Sequence, residues 1–216
     1  LEEAVSVLYT AFDGVGEIRR VNINVGPLKA EEYALLQAAD VGTVLIYQDT
    51  YHEASYRAAH VSGPKSDSLA RLHAPDTAFQ AGGGDVGLGL LLGLGPWRYD
   101  LLAVMLHAAH LTRVYDAGSR TVSMHRLRPT PGGRFKTPYP LSDGEYLRCV
   151  AITRLAVPYT GIVLTTKEPA GLWRDGCNAG CSQLLTGSVA NPYESWVEAP
   201  GEKTPFPIGE DCHVDE

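Results

Sequence analysis

The chain has 216 residues, a net charge of −7, 44% hydrophobic and 20% charged content, an ordinary globular composition able to bury a substantial core as one domain or two small ones. The negative charge argues against nucleic acid or an anionic membrane as a partner. No apolar run approaches the roughly 20 residues needed to span a bilayer, no secretory signal pattern is present, and four scattered cysteines make no disulfide framework. The expectation is a cytoplasmic protein with reduced thiols.

Helix and strand patterns alternate along the chain. Residues 1–12 (LEEAVSVLYTAF) read as an amphipathic helix, and 18–25 (IRRVNINV) alternate as a strand does, with Val21 and Ile23 on one face. Pro27 suits the first turn of a helix over 28–39. Residues 43–48 (TVLIYQ) form a β-branched apolar run bounded by Gly42. A short helix is expected over 71–81, a strand over 85–94 (DVGLGLLLGL), a helix over 98–114 and a strand over 121–126. The last of these runs into the turn-rich RLRPTPGG. Ser142 and Asp143 can cap a helix reaching Val157. Strands follow at 162–166 and 182–186, and the tail 191–216, rich in Pro and Gly, reads as irregular.

Six strands separated by helices predict a parallel sheet with right-handed crossovers, its strands apolar on both faces. A dinucleotide fold and a TIM-like barrel both fit. Polar residues gather just after the strands: Gln48 to His52, Arg126 to Arg128, and Lys167-Glu168. Both folds place their sites there.

Individual motifs have bland readings that compete with chemical ones. Gly87 and Gly89 look like a phosphate loop but lie inside a strand, so close backbone approach within a barrel is the better reading. His107 and His110 share a helix face and could supply two metal ligands. Without a carboxylate at motif spacing, a core or surface pair is the default. Cys177 and Cys181, four apart on an expected helix, read as packing thiols. YQDTYH (47–52) is denser in functional groups than a turn needs. Arg126 and Arg128 suit a carboxylate or phosphate, and an ion pair across the barrel mouth is an equal alternative.

GEIRRVNINV (16–25), VGTVLIYQDTYH (41–52), HVSGPK (60–65), DVGLGLLLGL (85–94), HAAHL (107–111), RLRPTPG (126–132), RLAVPYTGIVLTTKE (154–168) and CSQLLTGS (181–188) fall in one order. Together they resemble the radical S-adenosylmethionine aromatic-amino-acid lyases over nearly the whole chain. The likeness is stronger to the [FeFe]-hydrogenase maturation branch than to its sister, the thiamine-pathway 2-iminoacetate synthases. It implies strands three to eight of a (β/α)8 barrel over 1–190. It also implies cleavage of tyrosine to p-cresol and dehydroglycine, with S-adenosylmethionine and a [4Fe–4S] cluster as cofactors and hydrogenase maturation proteins as partners.

By the same resemblance, Gln48, Asp49, Thr50 and Tyr51 stand at the cofactor wall, with Arg19 and Arg20 near S-adenosylmethionine. Lys167 faces the substrate carboxylate, with Arg126 and Arg128 beside it. His107, then His110, would bind an auxiliary iron. The chain departs from the family at several places. It contains no CxxxCxxC; Asp49 stands for a Glu, Lys167 for an Arg and Leu185 for a Ser. Lysine keeps the charge but loses the bidentate fork. The expectation is therefore a fragment or split form of such an enzyme, or a non-catalytic relative serving as a binding or assembly module. A barrel short of two strands leaves open edges, so marginal stability or oligomerisation is expected of these residues alone.

Overall fold

The structure is a computed structural model and describes residues 1–13, 16–128, 136–165 and 168–185. Its centre is a six-stranded sheet: β3 (Ile23–Asn24), β4 (Val44–Asp49), β5 (Val86–Leu92), β6 (Thr121–Arg126), β7 (Gly161–Leu164) and β8 (Gln183–Leu184). A two-stranded antiparallel hairpin, β1 (Phe12–Asp13) with β2 (Gly16–Glu17), precedes it. Seven helices are described: α1 (Glu2–Thr10), α2 (Ala30–Ala38), α3 (Glu53–Ala59), α4 (Ser68–Gln80), α5 (Trp97–Tyr115), α6 (Asp143–Ala156) and α7 (Ala170–Ala179).

Every neighbouring pair in the sheet is parallel, and each strand lies beside its predecessor in the chain. A doubly wound sheet reverses its strand order at a switch point. The unreversed order here is that of a TIM-type barrel, and the sheet is part of one. This removes the dinucleotide-fold alternative.

Local sequence sets the element ends. The Ser142 hydroxyl accepts from the Glu145 amide while the Glu145 carboxylate accepts from the Ser142 amide, a reciprocal capping box that starts α6. Asp67 caps α4 by accepting from the Ala70 amide at 2.9 Å. Leu88, Leu90 and Leu92 of β5 pack with Leu101, Val104 and Leu111 of α5 and with Tyr146 and Val150 of α6. A second cluster joins Val5, Tyr33, Leu36, Val44, Ile46 and Ala78 on the α2–α4 side.

Gly87 and Gly89 serve the close approach expected of them. A Cβ at Gly87 would overlap Leu45 and Thr121, and one at Gly89 would overlap the Tyr47 ring. Side chains of β4 therefore lie across β5.

Several boundaries differ from expectation. Of the expected 18–25 strand, residues 23–24 form the regular strand, flanked by single backbone hydrogen bonds from Gly42 to Val21 and from Val25 to Leu45. Helix α4 starts at Ser68, three residues earlier than 71, because Asp67 caps it. Helix α3 was not expected; His52 caps it through its ring. Cys177 and Cys181 do not share a helix, since α7 ends at Ala179 and Gly180 turns away at φ +124°. The tail 191–216 lies outside the described residues, as does the end of each expected strand at Thr166 and Thr186.

Candidate active site

A cavity of about 460 Å³ opens at the carboxyl ends of β3 to β6. Its polar wall comes from Asn24, Tyr47, Asp49, Lys65, Arg71, His125 and Arg126, and Leu90 and Leu91 supply apolar surface. Two larger cavities, about 610 Å³ each, include Arg120, Tyr159 and Thr160 near the opposite, amino ends of β6 and β7. Size favours those; chemistry favours the mouth, where opposed charges converge and where barrels gather their sites.

Asp49 reaches the cavity because the chain turns sharply at it. The β4–β5 register slips between Tyr47 and Asp49. Asp49 has φ +65°, and the Thr50 amide donates to the Gln48 carbonyl at 2.9 Å, closing a three-residue γ-turn. The Asp49 carboxylate then faces three basic groups: Lys65 Nζ at 3.1 Å, His60 Nε2 at 3.3 Å and Arg71 Nη1 at 3.7 Å. The His60 contact is close without hydrogen-bond alignment, so it counts as an electrostatic neighbour only. Burial holds the His60 imidazole below its ordinary pKa, against the pull of Asp49.

Arg71 is a site residue that sequence reading missed. It comes from α4 and is 5% exposed. It donates to the Tyr47 carbonyl through Nη1, and its Nε is buried without a hydrogen-bond partner among the described residues. A buried guanidinium with unused donors at a cavity wall is a receptor for an anion. One signal for it was available: Arg71 falls on the same buried stripe as Ala74, Pro75 and Ala78, where an arginine is out of place. Lys65 was visible only as part of HVSGPK.

Beside it, the Tyr47 hydroxyl meets His125 Nε2 at 2.9 Å, an edge-on pair spanning from β4 to β6 over Gly89. Burial raises the Tyr47 phenol pKa, so the phenol stays neutral.

At the β6 tip, Glu168 binds Arg126 through both carboxylate oxygens and accepts from Arg128 at 2.8 Å. Arg126 Nη1 donates to Asp143 at 2.7 Å, and its guanidinium stands over the Tyr146 ring. The ion pair that was the equal alternative for these arginines is therefore present. Arg126 borders the cavity with its donors already engaged. Glu168 was legible only as a neighbour of Lys167, which lies outside the described residues.

Other expected site residues stand elsewhere. The Gln48 side-chain amide points to the Ser68 carbonyl at 3.5 Å. The Thr50 hydroxyl donates to Asp100, and the Tyr51 hydroxyl meets His107 Nδ1 at 2.8 Å, both toward α5. Of the four residues expected at the cofactor wall, Asp49 alone lines the cavity, because the γ-turn sends its neighbours outward. Arg20 is tied to Gly42 and Asp85 at the amino ends of β4 and β5, and Arg19 pairs with Glu17 in solvent. Both are at the far end of the sheet from this cavity.

His107 is buried, and burial pushes its imidazole down to about 4. His110 Nε2 meets Asp76 at 2.7 Å. Burial opposes it, but hydrogen bonds from His110 and Tyr115 hold the Asp76 carboxyl below its usual range. Each histidine has a protein partner, and no metal-binding group of three His, Cys, Asp or Glu occurs among the described residues. Burial also raises Cys149 and Cys181 to about 12, so these are inert core thiols, while Cys177 is exposed. Leu185 is 42% exposed at the end of the sheet.

Comparison with known proteins agrees with this architecture. The family profile of the biotin and thiamin synthesis associated domain matches residues 123–210. The 2-iminoacetate synthases of Salmonella typhimurium and Escherichia coli are 35% and 36% identical over 149 residues, 68% of this chain and 39% of each relative. The crystal structure of HydG, a maturase of the [FeFe]-hydrogenase, superposes with TM-score 0.83 and 38% identity, covering 87% of this chain and 42% of that one. HydG from Carboxydothermus hydrogenoformans gives 0.81 and 38%, over 88% and 43%. Methylornithine synthase (PylB), at TM-score 0.61 and 20% identity, shares the fold. The chain thus spans about two fifths of the length of the curated relatives it matches. No described helix is long and apolar enough to cross a membrane.

Proposed function

We propose that the chain belongs to the radical S-adenosylmethionine lyase family of 2-iminoacetate synthase and HydG, and that it supplies strands three to eight, over 1–190, of a tyrosine lyase barrel serving [FeFe]-hydrogenase maturation. The reaction in this reading is Cα–Cβ cleavage of tyrosine to p-cresol and dehydroglycine. The observation that carries the reading is the mouth cavity, where a turned-in carboxylate faces a buried, incompletely bonded arginine.

Those residues fit S-adenosylmethionine. Its methionine end carries an ammonium and a carboxylate, and the cavity offers Asp49 for the first and Arg71 and Lys65 for the second. When bound next to a reduced cluster, S-adenosylmethionine supplies the hydrogen-abstracting radical. The described residues do not fit the cluster itself: two cysteines are buried, high-pKa core thiols, and no third ligand joins them. The cluster ligands in this reading come from outside these residues.

This chain's own groups bind and orient. Arg71 and Lys65 hold a carboxylate, Asp49 fixes an ammonium, and Leu90 and Leu91 limit water at the wall. The Tyr47 phenol stays neutral and hydrogen-bonded to His125, keeping that wall ordered. Lys167 would neutralise the substrate carboxylate.

The test is anaerobic reconstitution of the full-length gene product with iron and sulfide, followed by assay of p-cresol from L-tyrosine. Formation of p-cresol is expected; its absence from a cluster-loaded protein sinks the reading. A second reading, 2-iminoacetate synthase, is favoured by the curated matches. Release of carbon monoxide and cyanide along with p-cresol separates the hydrogenase branch from it. In the loaded enzyme, Arg71→Ala should weaken S-adenosylmethionine at least about 10-fold, as loss of a charge-assisted contact does; unchanged affinity would remove Arg71 from the site.

A further inference from the structure

We propose that Asp100, on the first turn of α5, is a positioning residue for Asp49, holding the strained turn that aims the Asp49 carboxylate into the mouth cavity. The proposal deepens the reading of that cavity as a cofactor site and rests on it for its binding readout.

Asp49 has a left-handed backbone, φ +65°, inside a γ-turn. A non-glycine residue keeps such a conformation only when its surroundings over-determine it. The surroundings here are on α5. The Thr50 hydroxyl donates to both Asp100 oxygens, at 2.8 and 2.9 Å, and the Tyr51 amide donates to Asp100 Oδ1 at 2.7 Å. The His52 amide donates to the Thr50 hydroxyl oxygen at 3.1 Å and so joins the same turn. Asp100 is fully buried, at 0% exposure, and has no ion-pair partner among the described residues. A buried carboxylate is costly without donors, and the donors it takes are consecutive groups of the segment that follows Asp49.

Two further features serve the same contact. A Cβ at Gly95 would overlap Thr50 Oγ1 and crowd the Asp100 carboxylate, so the loop after β5 is kept bare where α5 meets the β4 tip. Two turns further along α5, His107 holds the Tyr51 hydroxyl at 2.8 Å. Residues 50 and 51 are thus fixed to one helix at two heights, and Asp49 has a single direction left.

The experiment uses the purified chain with Asp100→Asn, Asp49→Asn and the double variant. One readout is the binding of S-adenosylhomocysteine by calorimetry. The other is the NMR titration of His60, whose ring faces Asp49, Lys65, Arg71 and the Tyr56 ring and so reports where the Asp49 carboxylate lies. Asp100→Asn is expected to weaken binding about 10-fold and to lower the His60 midpoint, because Asp49 raises it. In the Asp49→Asn background it should change neither. A substitution that merely loosens the fold would add its effect in both backgrounds. Additive losses, or an unmoved His60 titration in Asp100→Asn, overturn the proposal. If the unaltered chain does not bind S-adenosylhomocysteine, the cofactor reading is what fails, and the His60 titration still decides the positioning role. Should Asp100→Asn not fold, Thr50→Val removes the hydroxyl at nearly constant shape and must shift His60 the same way.

Discussion

The tips of β4 and β6 stand two strands apart and handle charge in opposite ways. At β6, Arg126 and Glu168 have side chains 3% and 1% exposed, joined by both carboxylate oxygens, with Asp143 completing the guanidinium. At β4, Asp49 faces Lys65, His60 and Arg71 at 3.1–3.7 Å, and Arg71 keeps a buried Nε without a hydrogen-bond partner among the described residues. The first arrangement is saturated and closes the structure. The second has capacity left over, and that capacity is what a ligand with opposite charges at one end can use.

Breaking the β6 pair should have the largest effect. Glu168→Ala strands a buried guanidinium and is expected to cost about 3–5 kcal/mol, read from the urea midpoint at constant slope. A loss below about 1 kcal/mol would make the β6 tip as open as the β4 tip. Next comes the crossing between them: Gly89→Ala puts a methyl group where Tyr47 lies, for about 1–3 kcal/mol. The variant should also lose the Tyr47–His125 hydrogen bond, seen as a changed His125 NMR titration.

Acid bears on the α5 anchor of the β4 side. The folded-state pKa of His107, about 4, lies below the unfolded value of about 6.5, so the proton prefers the unfolded chain. The stability this gives is fully present above the unfolded value and lost as pH falls through it. Between pH 7 and 5 the loss is about 2 kcal/mol, and His60, also depressed, adds in the same direction. Below that window Asp76, whose folded pKa is lowered, loses its own contribution as it protonates. His107→Asn should flatten the stability profile between pH 7 and 5; a profile of unchanged slope would assign the acid sensitivity elsewhere. The smallest effect is expected at the exposed Arg57–Glu53 pair, where Glu53→Ala should move stability by less than about 0.5 kcal/mol.

Much of the fold was legible because it rests on local rules. The capping box at Ser142, the apolar β5 run and the glycines within it each have a short-range reason. The candidate site was legible only in outline. Polar groups were foreseen after β4 and β6 and at Lys167-Glu168, but Arg71 was not named and Glu168 was given no role, because their importance comes from partners 24 and 42 residues away. Arg19 and Arg20 were expected near a cofactor, and the end of the sheet at which they stand became visible only once β3 was seen to begin after them.

By itself, then, the sequence determined the succession of helices and strands, their parallel class, and the family likeness that runs through eight segments. Hydrophobic period, caps and turn residues act within a few positions, so one dimension is enough for them. Only the tertiary structure decided that strand order never reverses, that Asp49 turns inward while Thr50 and Tyr51 turn to α5, and that one arginine is spent on Glu168 while another stays unsatisfied. Those outcomes depend on which distant groups reach hydrogen-bond distance once the core has closed, and that information is held in the packing rather than in any local stretch of chain.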